Sequence, residues 1–290
     1  MSIDSSASSR LAPPLNALFI NTILLGGSVD AKIAAAGAAG FDAIEVWRQD
    51  VDAAGGVAPV RAALAERALG LIDYQVLLDF DGAADDKRAA KRAEALAMLE
   101  TGRALGAHTL LAPASTDSAC DPSRIVEDIG WLADRAAEMG MRIAYEPMAW
   151  SKYIHTLPSA VEILDAANRP NLLFVIDAFH IFARERTVVD LSGIAADRIA
   201  LVQLSDYGKP IAPGAYRQVA RHSRLLPGEG AFPIGALLRK LADIGYAGPI
   251  GLEVFNDELK SLDPAKVAAR AMLALRRSVD TSFTSEGAKP

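Results

Sequence analysis

The stretch LLFVIDAFHIF, residues 172–182, sets Asp177 and His180 into an otherwise apolar run. Burying an unpaired carboxylate is strongly unfavourable, so a cation is expected beside Asp177. Three more polar residues occupy the same kind of position: Glu146 in RIAYEP (142–147), Gln203 in IALVQLSD (199–206) and Glu253 in PIGLEVFN (249–256). The residues two places before these four are Ala144, Val175, Leu201 and Gly251, all small or apolar. With the two-residue period of a strand, this pattern describes an inward face that is packed below and polar at its C-terminal end. Three carboxylates and an amide converging there would repel one another unless a divalent cation joined them. Glu146, Asp177, Gln203 and Glu253 are therefore the candidate metal ligands. An all-oxygen set suits Mg2+ or Mn2+, and Co2+ or Zn2+ can also bind such a set. A divalent ion acidifies the C–H beside a ketone. His180, three residues past Asp177, is the candidate catalytic base.

Such convergence requires strands that all end at one place. Apolar, β-like runs fall at 17–22, 42–47, 70–76, 108–113, 142–147, 172–179, 199–206 and 249–256. Between them lie Ala-, Leu-, Arg- and Glu-rich segments with helical spacing, such as VRAALAERALG and SRIVEDIGWLADRAAEMG, several ending in Gly. Eight βα units predict an α/β fold, a single-domain (β/α)8 TIM barrel over 15–279, with active residues at the C-terminal mouth. An open doubly wound sheet is the rival, but no glycine-rich phosphate loop follows the first strand. Residues 1–14 read as a flexible leader and 280–290 as a flexible tail. The connection 207–232 is long for a plain loop, which points to a functional segment.

Composition excludes several function classes. The formal net charge is −6 and the basic residues are scattered, so nucleic acid is not an expected partner. No apolar run approaches the length of a membrane span, and the polar N-terminus lacks a signal-peptide core. The single cysteine, Cys120, rules out an internal disulfide, and a reducing cytoplasm is the expected location.

Within the long connection, RQVARHSRLLPGEG offers Arg221, His222 and Arg224 to an anionic substrate group, with Pro227, Gly228 and Gly230 shaping a turn. Glu45, at the end of the second strand, either contacts substrate or pairs with a neighbouring cation. His108 falls at the wrong end of its strand for chemistry. His155 lies after the fifth strand, where capping a helix is an equal reading. Trp47 and Trp150 follow strand ends and can wall a pocket. Phe255, Asn256 and Asp257 are expected to support Glu253.

The segments YEPMAW, VIDAFHIF, LVQLSD, RHSRLLPGEGAF and LEVFND resemble the xylose isomerase-like superfamily. Within it they are most similar to the bacterial 3-dehydroshikimate dehydratases. The resemblance implies a Glu, Asp, Gln and Glu ligand set, with Gln203 standing where most of the superfamily has His. It also implies a catalytic role for His180, and a lyase that forms an enolate and expels water to give protocatechuate. Three positions depart from the dehydratase pattern. Leu78 stands in place of an Arg, Tyr153 in place of a His near the substrate, and Ala220 in place of a Ser. A metal-dependent sugar or keto-polyol isomerase or epimerase is the alternative, and a non-catalytic ligand-binding barrel the third reading. The expected partner is a small polar hydroxy-ketone or hydroxy-acid, and pairing through outer helices as a homodimer fits barrels of this type.

Overall fold

A computed structural model of the protein describes residues 16–283. The leader expected over 1–14 lies outside the described residues, as does 284–290 of the expected tail. The last helix, Pro264–Phe283, runs past the expected domain end at 279.

Eight parallel strands close into one barrel in sequence order. They are β1 (Leu18–Asn21), β2 (Ala43–Trp47), β3 (Gly70–Gln75), β4 (Thr109–Pro113), β5 (Arg142–Glu146), β6 (Leu172–Asp177), β7 (Ile199–Leu204) and β8 (Ile250–Leu252). This is the TIM barrel that the spacing predicts, as a single domain.

Alternation along each strand sorts its side chains. Phe19, Ala43, Leu111, Ala144, Leu173, Val175 and Leu201 share the inner core. Ile20, Ile44, Leu110, Ile143, Phe174, Ile176 and Val202 face outward into the layer shared with the helices. The inner floor is tightly filled at Gly251, where a Cβ would lie 2.3 Å from the Phe19 ring and 2.4 Å from its carbonyl oxygen. No side chain larger than hydrogen fits there.

The helices follow from their apolar spacing. Ile125–Glu138 buries Ile125, Ile129, Leu132, Ala133 and Ala136, one stripe at helical period. Leu157–Ala167 starts at a reciprocal cap, in which Thr156 and Ser159 each accept from the other's backbone amide. It stops at Asn168, whose φ of 48° is left-handed.

Several strands are shorter than the runs that predict them: β7 ends at Leu204 rather than 206, and β8 covers only Ile250–Leu252 of 249–256, so Glu253 lies just past it. The sixth strand ends at Asp177 rather than 179, because Ala178–Phe182 turns into a short helix. Asp177 Oδ1 caps that helix by accepting the Phe179 amide at 2.7 Å. An apolar run alone does not distinguish a buried strand from a buried helical turn. The connection 207–232, read from its length as more than a plain loop, contains the helix Tyr216–His222.

Candidate metal centre

The barrel delivers the four predicted ligands to one end. Glu146 and Asp177 are the last residues of β5 and β6, Gln203 lies one residue from the end of β7, and Glu253 follows β8 directly. All four are buried. Glu146, Asp177 and His180 can each offer a ligand atom such that these atoms lie within 4.8 Å of one another. Asp177 and Gln203 are register partners, and Gln203 is in turn paired with Gly251 on β8.

The donor set fits a hard divalent cation. Glu146 Oε1 and Gln203 Oε1 are buried without a hydrogen-bond partner. Leaving a buried acceptor unsatisfied costs on the order of 1–3 kcal/mol, and more when it is charged. A cation among these oxygens would satisfy both. Burial raises the Glu253 carboxyl well above its usual range, and the charges of Glu146 and Asp177 add to this against the opposing pull of Arg224. A cation would reverse that balance.

Two of the candidate ligands, Glu253 and Gln203, are held from behind by neighbouring side chains. Asn21 Nδ2 donates to Glu253 Oε1 at 3.1 Å. Asn21 Oδ1 accepts from Trp47 Nε1 at 2.8 Å and from the Ile23 amide at 3.0 Å, so only its NH2 end is left for Glu253. Gln203 Nε2 donates to Glu45 Oε1 at 2.9 Å. Glu45 sits opposite Asp73 in the β2–β3 register, and both are fully buried. Burial pushes the Asp73 carboxyl up to about 8. Burial also raises Glu45 well above the carboxylate range, reinforced by the charges of Asp73 and Glu253.

His180 Nε2 stands 3.4 Å from both Glu146 Oε1 and Asp177 Oδ2. Its Nδ1 accepts the Ala149 amide at 3.1 Å, so proton exchange by the ring runs through Nε2. Trp150 and Phe179 pack edgewise on the imidazole, with ring centroids at 5.0 and 5.6 Å.

The remaining sequence candidates separate into two groups. The pocket above the cradle is lined by Trp47, Leu78, Glu146, Trp150, His180 and Arg221, among others. Arg221 lies over the Phe255 ring at 5.2 Å, and no ion pair engages it among the described residues. Burial lowers its pKa. Arg224 also reaches the pocket, but its guanidinium is committed. Nη1 donates to Asp177 Oδ2 at 2.8 Å and to the Glu253 carbonyl at 3.1 Å, and Nε donates to the Ala220 carbonyl at 3.0 Å.

His222 turns away from the pocket and pairs with Asp257 at 2.8 Å on the exterior. Tyr153 is 38% exposed and is not among the lining residues. Glu45 lies beneath the pocket with no exposure. Asn21 and Asp73 were not singled out from sequence; Asn21 sits on the inward parity of β1, whereas a register shift between β2 and β3 breaks the alternation near Asp73.

Comparison with known proteins gives the family. The model of the xylose isomerase-like TIM barrel family matches residues 33–278. A curated 3-dehydroshikimate dehydratase from Pseudomonas aeruginosa is 30% identical over 260 residues. The match covers 89% of this chain, which spans 40% of that protein's length. An inosose isomerase from Halalkalibacterium halodurans is 27% identical over 66% of this chain and 69% of its own. Among solved structures, a xylose isomerase-like TIM barrel/4-hydroxyphenylpyruvate dioxygenase fusion protein superposes with a TM-score of 0.87 at 26% identity. That likeness covers 95% of this chain and 45% of the fusion. Among the described residues, no helix is long and apolar enough to cross a membrane. By the extent of these matches, the chain belongs to the xylose isomerase-like TIM barrel family.

Proposed function

We propose that the protein is a divalent-metal-dependent lyase acting on a small hydroxy-ketone acid of the dehydroshikimate type. Glu146, Asp177, Gln203 and Glu253 would hold the cation, Mg2+ or Mn2+ by their chemistry. When bound, it supplies Lewis-acid stabilisation of the negative charge that builds on an enolising ketone.

The chain's own residues do the rest. Arg221, cationic and without an ion-pair partner at the pocket, pairs the substrate carboxylate and sets its orientation. This observation carries the choice of an acidic substrate. Arg224 neutralises part of the charge of Asp177 and Glu253 from behind, with Nη1 bridging the two carboxylates. His180 moves the proton at Nε2. With Nδ1 accepting the Ala149 amide, the neutral ring carries its proton on Nε2, so action as a base there requires the proton on Nδ1 instead and the Ala149 contact given up. Trp47 and Trp150 shield the reacting carbon from water. Once the α-proton has left, the electron pair expels the β-hydroxyl. His180 returns the abstracted proton to that group, which leaves as water, and enolisation of the remaining ring ketone, with loss of a ring CH2 proton and gain of one on oxygen, turns a cyclic dehydroshikimate into aromatic protocatechuate.

A second reading is favoured by Leu78, which lines the pocket where the dehydratase pattern has Arg. A less anionic wall suits a neutral keto-polyol, in line with the inosose isomerase relative. The same cradle would then return the proton to another face or carbon.

The test is to incubate Mn2+-loaded protein with 3-dehydroshikimate and follow the aromatic absorbance of the product. Product that Glu146→Ala or Gln203→Ala abolishes supports the lyase. Absence of product together with solvent deuterium entering inosose overturns it in favour of the isomerase.

A further inference from the structure

Glu45 is shut off from the pocket, yet it touches a candidate ligand. Its Oε1 accepts from Gln203 Nε2 at 2.9 Å, across the barrel from β2 to β7. Gln203 Oε1, the other end of the same amide, is buried without a partner.

A carboxylate ligand presents oxygen whichever way it turns. A glutamine presents either an acceptor or a donor, and only the oxygen binds a cation. Something must therefore settle which end of Gln203 faces the centre. The barrel solves the mirror-image problem at Asn21, where two N–H donors occupy Oδ1 and leave the NH2 group for Glu253. At Gln203 the device is reversed, since an acceptor on the far side draws the NH2 group and frees the oxygen. Asp73, opposite Glu45 in register, gives the acidic side chain a neighbour of its own kind rather than a cation.

We propose that Glu45 is a positioning residue that fixes the amide of Gln203 with its oxygen toward the divalent cation. This rests on the metal reading above and assigns Glu45 to neither the substrate nor a neighbouring cation.

The test is calorimetric titration of Mn2+ into metal-free protein for the wild type, Glu45→Gln, Gln203→Glu and the double variant, with circular dichroism to confirm folding. Glu45→Gln preserves volume but offers an NH2 group that can donate to Gln203 Oε1 and turn the amide over. Its Kd is expected to rise at least about tenfold, the usual scale for losing a partner that orients a metal ligand. With a carboxylate at position 203 both ends are oxygen, so the same change at 45 is expected to shift Kd less than about threefold. A purely structural role for Glu45 gives no such rescue. If Glu45→Gln alone does not fold, Glu45→Met removes the acceptor and is compared across the same two backgrounds. An unchanged Kd for the position-45 variant, or an equal loss in both backgrounds, overturns the proposal while leaving the metal centre intact. Failure of the wild type to bind Mn2+ overturns the metal reading itself, and this proposal with it.

Discussion

Replacing Asp206 with Asn tests how the segment carrying Arg221 and Arg224 is held. Asp206 follows β7, and its carboxylate gathers four backbone amides from the connection 207–232. Oδ1 accepts from Tyr207 and Phe232, each at 2.8 Å, and Oδ2 accepts from Gly228 and Gly230, each at 3.0 Å. Gly230 is pressed so close that a Cβ would lie 2.4 Å from Asp206 Oδ1. The backbones of Asp206 and Leu225 also exchange two hydrogen bonds of 2.8 Å. Asp206→Asn keeps one oxygen and sets an NH2 group against two N–H donors. Hydrogen bonds to charged groups contribute about 1.5–3 kcal/mol each, so losing two of them removes about 3–6 kcal/mol. At about 2–4 °C per kcal/mol, the midpoint of thermal unfolding should fall by about 6 °C or more. Melting is followed by circular dichroism, and limited proteolysis should place the first new cleavage within 207–232. A variant that melts within about 2 °C of the wild type would refute the claim that this carboxylate organises the segment.

Three further outcomes follow from the same contacts. Arg221→Leu should raise KM for a carboxylate-bearing substrate far more than it lowers kcat, and equal effects on both would contradict an anchoring role. His180→Asn should abolish solvent deuterium exchange at the α-carbon while leaving Mn2+ affinity nearly unchanged, whereas persistent exchange would make His180 a donor rather than the base. Asp81 is fully buried and pushed up to about 6 from 3.8, mainly by burial, against the opposing hydrogen bonds from Tyr145 and the Ser115 amide. Because its folded pKa is raised, its contribution favours folding at pH below about 4 and fades as pH climbs through about 6. Relative to Asp81→Asn, the wild type should therefore gain up to about 3 kcal/mol on acidification from pH 7 to pH 4, read from urea unfolding, and a pH-independent difference would contradict this.

The barrel was legible because its strands are short apolar runs whose inward residues recur every second place. Ala144 with Glu146, Val175 with Asp177, and Leu201 with Gln203 all obey that rule. It extends to Asn21, two places after Phe19, but not to Asp73, where a register shift between β2 and β3 breaks the alternation: Leu71 packs outward and Ile72 inward. Position along the chain says less about loops. His222 and Arg224 are two residues apart, yet one pairs with Asp257 on the exterior and the other is buried against Asp177. What separates them is the folding-back of 207–232 onto β7 through Asp206, a tertiary contact with no local signature. Tyr153 is likewise 38% exposed although Ser151 and Ile154 beside it are buried, a difference that chain position does not give. The end of β6 was misplaced by two residues because Ala178–Phe182 is as apolar as the strand it follows.

The central claim is that side chains from four strands share one cation, and anomalous diffraction from a Mn2+-soaked crystal addresses it most directly. One strong peak should lie about 2.0–2.6 Å from a carboxylate oxygen of each of Glu146, Asp177 and Glu253 and from Gln203 Oε1. A map without a peak at the barrel mouth, or with the ion held elsewhere while these oxygens keep only protein partners, would contradict it.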